Sequence, residues 1–140
     1  MPSLREFDWS DLPPALLEFW TERHLCTLST LDRHGAPHGV PVGAVLDLEE
    51  RCAWIITSGG SQKATNLRRD PRLSVTQVDG ARWSSIAGTA EVLDDAASVA
   101  RACERYATRY RTPRENAERV ALRITVERFL GSAGVLARPE

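Results

Sequence analysis

The segment CAWIITSGGSQKATNLRRDP, residues 52–71, predicts a buried strand that turns sharply into a short helix. Cys52 to Ser58 is rich in the aromatic and β-branched side chains that favour strands. Gly59-Gly60 permits a tight turn, and Ser61 has the hydroxyl that commonly caps the first turn of a helix. Because proline cannot continue a helix, Asp70-Pro71 ends this one after Arg69.

Lys63 lies in the first turn of this helix and is the only lysine in a chain with 18 lysine and arginine residues. Backbone amides at a helix start concentrate partial positive charge, so a cation there is disfavoured unless an anion joins it. Thr57, Ser58 and Gly60 lead into the same turn. We therefore predict a phosphate site at Ser61 and Lys63. The alternative is an exposed lysine that binds nothing.

Five more strands and two more helices are predicted from hydrophobic periodicity and turn residues. The strands are residues 25–31, 38–48, 73–78, 83–93 and 119–129. The first helix begins near Pro13 with Asp11 as its cap, and the long helix spans residues 95–111. The first helix has an apolar face made of Leu12, Leu16, Phe19 and Trp20.

The order of these elements favours an antiparallel sheet. Most neighbouring strands are joined by hairpin-like turns with no helix between them, which disfavours a doubly wound parallel sheet. Six strands in a chain of 140 residues hide their edges most easily by closing into a barrel. The predicted fold class is α+β, with a single barrel domain over residues 1–140.

The strand predicted over residues 38–48 presents two different faces. From position 40 on, its even-numbered residues are apolar and predict the core face. Gly39, Pro41 and Gly43 then lie on the other face, where almost no side chain blocks the approach of a flat ring. The alternative is an edge strand that Pro41 protects from further pairing.

The long helix has an apolar stripe beside a row of arginines. The stripe contains Val99, Cys103, Tyr106 and Tyr110. The arginines continue beyond the helix and are Arg101, Arg105, Arg109, Arg111 and Arg114. Such a concentration of guanidinium groups suits a ligand with several carboxylates, and the alternative is a solvated row with no ligand.

Composition excludes several function classes. A net charge of −1 and a pI near 6.3 predict neither a nucleic-acid nor a membrane partner. Three widely spaced cysteines, no long apolar stretch and no signal-like start predict reduced thiols and a cytoplasmic location. The three histidines lack the spacing of zinc ligands, so no metal site is predicted, although His38 remains a candidate to face a ligand. No combination of nucleophile and base indicates serine or cysteine hydrolysis.

Several blocks of sequence carry a family resemblance. Residues 54–57 followed by 63–72, WIIT and KATNLRRDPR, resemble the pyridoxamine 5′-phosphate oxidase-like split β-barrel superfamily. The blocks GGSQKA at 59–64, VDGARW at 78–83 and the arginine-rich segment 105–114 resemble the F420-dependent biliverdin reductases of the flavin/deazaflavin oxidoreductase branch. The resemblance covers nearly the whole chain and implies a six-stranded antiparallel split β-barrel with flanking helices.

The resemblance also implies a function. It predicts a homodimer with active sites at the interface, in which reduced coenzyme F420 passes hydride to a conjugated, tetrapyrrole-like acceptor, biliverdin. The alternatives are an FMN-dependent pyridoxamine phosphate oxidase-like enzyme and a non-catalytic protein that binds F420 or a tetrapyrrole. The superfamily often has a basic residue shortly before its lysine, where this chain has Gly59-Gly60-Ser61, and this difference disfavours FMN.

Site residues follow from the resemblance and from the patterns above. The predicted cofactor-binding residues are Thr57, Ser58, Gly60, Ser61, Lys63, Asn66, His38, Pro41, Val42, Gln77 and Trp83. Trp83 has core packing as an alternative role. The predicted substrate-binding or tail-binding residues are Arg109, Tyr110, Arg111 and Arg114. No catalytic side chain is assigned, because the cofactor carries the chemistry and the protein mainly orients two planar molecules.

Overall fold

The structure is a computed structural model that describes residues 3–139. Within these residues the chain forms eight strands and four helices. The strands are β1 Ser3–Leu4, β2 Cys26–Leu31, β3 Pro37–Val42, β4 Ala44–Asp47, β5 Cys52–Ser58, β6 Arg72–Asp79, β7 Arg82–Leu93 and β8 Arg119–Gly131. The helices are α1 Pro14–Thr21, α2 Gln62–Arg69, α3 Ala96–Arg109 and α4 Ala133–Leu136. In this part of the chain no helix is long and apolar enough to cross a membrane.

The structure contains two short elements beyond the predicted six strands and three helices, and one predicted strand is divided into two. β1 and α4 have two and four residues, which is too few for a periodic pattern. The strand predicted over residues 38–48 is interrupted at Gly43. The prediction that Asp11 caps α1 is wrong, because Pro13 is the N-cap and the first helical residue is Pro14. α3 ends at Arg109, two residues earlier than predicted.

The strands form one antiparallel sheet in the order β3-β2-β6-β7-β8-β5-β4, with β1 added to β8. β3 and β4 are consecutive in the chain yet lie at opposite ends of this order. The sheet must therefore curl until its two edges meet at Gly43, where the chain passes from one to the other. This arrangement confirms the α+β antiparallel split barrel, and it confirms that the strand containing Pro41 lies at a sheet edge.

The barrel interior is closed by α1. Its predicted apolar face is buried, with Leu16 and Phe19 fully inside the main core. The indole Nε1 of Trp20 donates to Ser84 Oγ at 2.9 Å, so the one polar atom of this buried ring is satisfied. A smaller apolar cluster lies outside the barrel under α3 and contains Val45, Cys52, Trp54, Ala102 and Ala121.

The C-terminal end of α3 holds the backbone where the two sheet edges meet. The Ala44 amide donates to the Tyr110 hydroxyl at 3.2 Å, and the Ala44 carbonyl accepts from Arg109 Nη1 at 2.6 Å. The rings of Tyr106 and Tyr110 stack with centroids 4.9 Å apart and cover Gly43. The rings of these two tyrosines therefore occupy the space in which a side chain at position 43 would lie.

Gly43→Ala should lower the free energy of unfolding by about 1–3 kcal/mol, since an added Cβ would lie 2.8 Å from Tyr106 and 2.9 Å from Tyr110. Urea unfolding measures this change. Gly134→Ala in α4 is the matched control, because its Cβ would meet no atom within 4 Å and alanine favours a helix. Equal effects of the two substitutions would contradict the close contact.

A buried ion pair joins α3 to β4. Arg101 donates two hydrogen bonds of 2.8 Å to the Asp47 carboxylate, which also accepts from Trp54 Nε1 at 2.8 Å. Burial by itself raises the pKa of Asp47, but the hydrogen bonds from Arg101, Trp54 and the Glu50 amide outweigh it and hold the pKa well below its usual range. The ionised form of Asp47 therefore stabilises the fold.

Arg101→Leu should lower the melting temperature more at pH 7 than at pH 3. The carboxyl group of Asp47 has a lower pKa in the folded chain than in the unfolded chain, so it stabilises the fold at pH values above its unfolded pKa near 4. This stabilisation is lost as the pH falls toward the folded pKa. Arg72→Leu breaks the exposed pair with Asp70 and is the control, which should change little at either pH. Calorimetry of both variants at several pH values measures the melting temperatures. An equal decrease in melting temperature at pH 7 and pH 3 for Arg101→Leu would contradict the prediction.

Candidate functional site

The two sheet edges leave a gap beside the start of α2. β4 pairs with β5 only along Cys52–Ile55, so within residues 3–139 residues 56–58 have β8 on one side and no strand on the other. β3 pairs with β2 and with no other strand among the described residues. We call the gap between β3 and residues 56–58 the seam. Predicted site residues from both sequence regions, including Pro41, Thr57 and Ser58, lie along it.

The first turn of α2 begins directly after this end of β5. Ser61 is the N-cap as predicted, and its Oγ accepts from the Ala64 amide at 3.3 Å. The same Oγ accepts from Thr57 Oγ1 at 3.2 Å, which ties the strand end to the helix start. Within residues 3–139 the amides of Gln62 and Lys63 have no hydrogen-bond acceptor. Two free amides therefore remain at the positive end of the helix.

Lys63 is the second residue of α2, so its side chain starts in the same first turn as these amides. The side chain is partly buried, and burial lowers its pKa from the ordinary value. Within residues 3–139 this ammonium has neither a salt bridge nor a hydrogen bond, whereas Arg72, Arg82 and Arg101 each have a carboxylate partner. We call the Gln62 and Lys63 amides, together with the Lys63 ammonium, the α2 anion site, because this donor set suits a phosphate.

Next to residues 56–58 is a cavity of about 310 Å³ that we call the arginine pocket. Its lining residues are Gly43, Ile56, Thr57, Ser58, Tyr106, Arg111, Pro113, Arg114, Asn116 and Arg119. The structure thus brings the predicted residues Arg111 and Arg114 together with the predicted residues Thr57 and Ser58. The guanidinium groups give the pocket a positive charge.

A second cavity, of about 600 Å³, lies on the other side of α2. It is lined by Asp32, Arg33, His34, His38, Gln62, Thr65 and Arg69. Nδ1 of His38 is buried and has no hydrogen-bond partner within the part of the chain that the structure describes. The prediction that His38 faces a ligand is compatible with this position.

Comparison with known proteins identifies the family. Residues 12–132 match the family model described as pyridoxamine 5′-phosphate oxidase. The chain belongs to the pyridoxamine 5′-phosphate oxidase family. This member is 49% identical over 122 residues to a protein of Mycobacterium tuberculosis (strain CDC 1551 / Oshkosh) named F420H(2)-dependent biliverdin reductase. The match covers 87% of this chain and 89% of that relative.

Solved structures agree on the fold. A conserved hypothetical protein from Mycobacterium tuberculosis superposes with a TM-score of 0.74 at 28% identity, covering 91% of this chain and 88% of that chain. A structure named F420 reductase superposes with a TM-score of 0.65 at 19% identity, covering 86% of this chain and 97% of that chain. These structures and the family match confirm the predicted split barrel.

In this family member, Asn66 has an internal role. Its side chain is fully buried and donates from Nδ2 to Thr30 Oγ1 at 3.0 Å. Its Oδ1 accepts from Gln62 Nε2 at 2.7 Å and from Arg69 Nη2 at 3.3 Å. The predicted contact between Asn66 and phosphate does not fit this arrangement. Asn66 instead fastens α2 to β2 and so orients the α2 anion site.

Of three further predicted site residues, Arg109 and Gln77 are buried and Tyr110 is partly buried. Arg109 is 5% exposed and donates to the Glu22 carbonyl at 2.8 Å and to Gln77 Oε1 at 2.6 Å. Gln77 donates in turn to the Phe19 carbonyl at 3.0 Å. The Tyr110 hydroxyl donates to the His24 carbonyl at 2.6 Å, and burial raises its pKa. All three side chains are satisfied internally and stabilise the barrel, so they do not fit the predicted ligand contacts.

Of the remaining predicted site residues, some border the seam and one lies away from the cavities. Pro41 is exposed and Val42 is buried, both at the end of β3 that borders the seam. Trp83 lies in the β6–β7 hairpin, outside both cavities. Sequence reasoning missed Asn116 and Arg119. Arg119 of β8 pairs with Ser58 of β5, and this pairing places Arg119 at the arginine pocket. A single sequence does not show which residues of distant strands pair.

Proposed function

We propose that the chain is an F420-dependent oxidoreductase that reduces biliverdin to bilirubin. The observation that carries this proposal is 49% identity, over most of both chains, to a protein named F420H(2)-dependent biliverdin reductase. The α2 anion site supports it independently, because a free cation beside two free amides suits the phosphate of a nucleotide-like cofactor.

Particular residues fit the cofactor. The amides of Gln62 and Lys63 and the Lys63 ammonium would hold the phosphate, with Ser61 and Thr57 fixing the turn that presents them. Pro41 is exposed at the edge strand and would border the deazaflavin ring. This assignment keeps the predicted phosphate site at Ser61 and Lys63. Asn66 positions α2 in it and does not contact the phosphate.

Bound reduced F420 supplies a hydride from C5 of its deazaflavin ring. Reduction of biliverdin requires that hydride at the central methine carbon and a proton at a pyrrole nitrogen, which together give bilirubin. The chain's contribution is to orient the two planar molecules and to keep the cofactor phosphate in place. No side chain is needed as a nucleophile, which agrees with the lack of a nucleophile and base pair in the sequence.

A homodimer forms part of the proposal. The outer faces of β2, β3, β6 and β7 adjoin one another and contain mostly small, uncharged residues, among them Thr27, Gly39, Ser74, Thr76 and Ser85. Leu25 and Val78 lie at one end of this face and are 74% and 67% exposed. An uncharged sheet face with exposed apolar side chains is typical of a subunit interface. The edge strand β3 lies in the same face, so the partner would approach the seam.

Val78→Asp combined with Leu25→Asp should convert a dimer into a monomer of 15.5 kDa, because two carboxylates would be buried at the interface without partners. Light scattering after gel filtration measures the mass. Leu48→Asp is the control, because Leu48 is also an exposed apolar residue but lies beyond β4, outside this face. A wild-type monomer, or a variant that remains dimeric, would contradict this interface.

Stopped-flow mixing of the protein with reduced F420 and biliverdin should show cofactor oxidation coupled to bilirubin formation. Lys63→Ala should weaken F420 binding by roughly 1.5–3 kcal/mol, the range for a charge-assisted hydrogen bond. Removing this cation from the helix start should not lower the melting temperature. Arg5→Gln is the control for loss of one positive charge, because Arg5 is exposed near the opposite end of β8.

Three outcomes would contradict the proposal in different ways. Binding of F420 without oxidation would indicate a non-catalytic carrier. Tight binding of FMN in preference to F420 would indicate an FMN enzyme of the same fold. Unchanged F420 affinity in Lys63→Ala would remove the α2 anion site.

A further inference from the structure

A third cavity, of about 200 Å³, lies between α1, β4 and α3, and we call it the α1–α3 pocket. It is lined by Leu17, Trp20, Thr21, Val45, Leu46, Leu48, Arg105, Thr108 and Arg109. None of these residues lines the arginine pocket or the cavity that contains His38. The α1–α3 pocket is therefore separate from the groups assigned to the cofactor.

The walls of the α1–α3 pocket are mainly hydrocarbon. Five of its nine lining residues are aliphatic or aromatic, and none is acidic. The indole Nε1 of Trp20 already donates to Ser84 Oγ, and both threonine hydroxyls donate to carbonyl oxygens one turn earlier in their own helices. A ligand that fills this pocket must therefore be largely apolar, because burying an unpaired polar group is costly.

Arg109 gives the pocket positive charge, but its donors are used elsewhere. Its three nitrogens donate to oxygens inside the barrel, at 2.8 Å for the Glu22 carbonyl, 2.6 Å for the Ala44 carbonyl, 2.6 Å for Gln77 Oε1 and 3.3 Å for the Phe19 carbonyl. A ligand in the pocket consequently meets the charge of this guanidinium without a free hydrogen-bond donor.

Arg105 is the lining residue with a free donor. Its Nη2 donates to the Leu46 carbonyl at 3.1 Å, which holds the guanidinium at the outer edge of β4. Its Nε is buried and has no hydrogen-bond partner among residues 3–139. Within the same residues Arg105 has no salt bridge, whereas Arg101, one turn earlier, is paired with Asp47. A buried N–H without an acceptor is unfavourable, and a carboxylate is the anion that best matches a guanidinium.

The size of the pocket limits the ligand further. An apolar cavity of about 150 Å³ is large enough to bind benzene, so about 200 Å³ has room for one ring and a carboxylate. One guanidinium with a free donor suits one carboxylate. A strongly hydrated anion such as phosphate does not suit hydrocarbon walls.

We propose that the α1–α3 pocket binds a small monocarboxylate whose apolar part is about the size of a benzene ring. The carboxylate accepts from Arg105 Nε, and the ring lies among Leu17, Val45 and Leu48. This site goes beyond the proposed function, because no residue of the pocket belongs to the α2 anion site and no cofactor is needed to form it. Its walls come from three elements that meet only in the folded chain, so the ligand stabilises the fold when it binds.

NMR titrations of the isotope-labelled protein with benzoate test the proposal. Benzoate should shift amide signals of α1, β4 and α3 and bind at least about tenfold more tightly than acetate or benzyl alcohol. Acetate has the charge without the ring, and benzyl alcohol has the ring without the charge. 2-Naphthoate should bind more weakly than benzoate, because a second ring exceeds the pocket. Equal affinities for benzoate and acetate, or benzoate shifts confined to other parts of the chain, would overturn the proposal.

Variants assign the binding to particular groups. Arg105→Gln should lower the affinity for benzoate at least about tenfold and leave that for benzyl alcohol unchanged. Arg114→Gln removes the same charge from the arginine pocket and is the matched control, which should bind benzoate as the wild type does. Loss of binding in Arg114→Gln but not in Arg105→Gln would place benzoate in the arginine pocket and overturn the proposal.

Leu48→Ala tests the apolar wall if Arg105→Gln melts early. Leu48 is 38% exposed, so the truncated chain should fold while Arg105 stays in place. The affinity for benzoate should fall at least about threefold, because apolar contact with the ring is lost, and that for acetate should not change. Unchanged benzoate affinity in Leu48→Ala would contradict the pocket. All these titrations use the protein without F420, so their outcome is independent of the proposed function.

Discussion

The hydrogen bonds between the end of α3 and Ala44 fix the geometry on which the rest of the molecule depends. Ala44 lies where the chain leaves one edge of the sheet and enters the other, and both its amide and its carbonyl are bonded to Tyr110 or Arg109. Among residues 3–139, no strand pairing joins the two edges along the seam. Their separation therefore depends on a buried helix end, and the walls of the candidate site are positioned from inside the barrel.

Arg109 and Arg111 are two residues apart near this helix end, and their surroundings differ. Arg109 is in the last turn of α3 and donates only to internal acceptors, so its charge is compensated by backbone and amide oxygens. Arg111 lies beyond the helix, where the chain turns outward and the guanidinium reaches the arginine pocket. The position at which α3 ends thus separates a cation bonded inside the barrel from one that lines the arginine pocket.

The parts of the fold that could be predicted are those determined by residue type and spacing within one short segment. The Ser61 cap, the end of α2 and the buried face of α1 follow from residue type and spacing, and the structure contains all three. The break at Gly43 was not predictable, because it depends on tyrosines more than 60 positions later whose rings cover that glycine. Arg109 and Gln77 were assigned to ligands because a single sequence shows charge and polarity but not which side chains meet in the interior.

The unpaired groups of the site have an energetic consequence. Among residues 3–139, Lys63 and the arginines that line the arginine pocket have no carboxylate partner within 4.0 Å, and Lys63 is also partly desolvated. Such groups destabilise the ligand-free fold, and an anion that binds only the folded chain restores that stability in proportion to its occupancy.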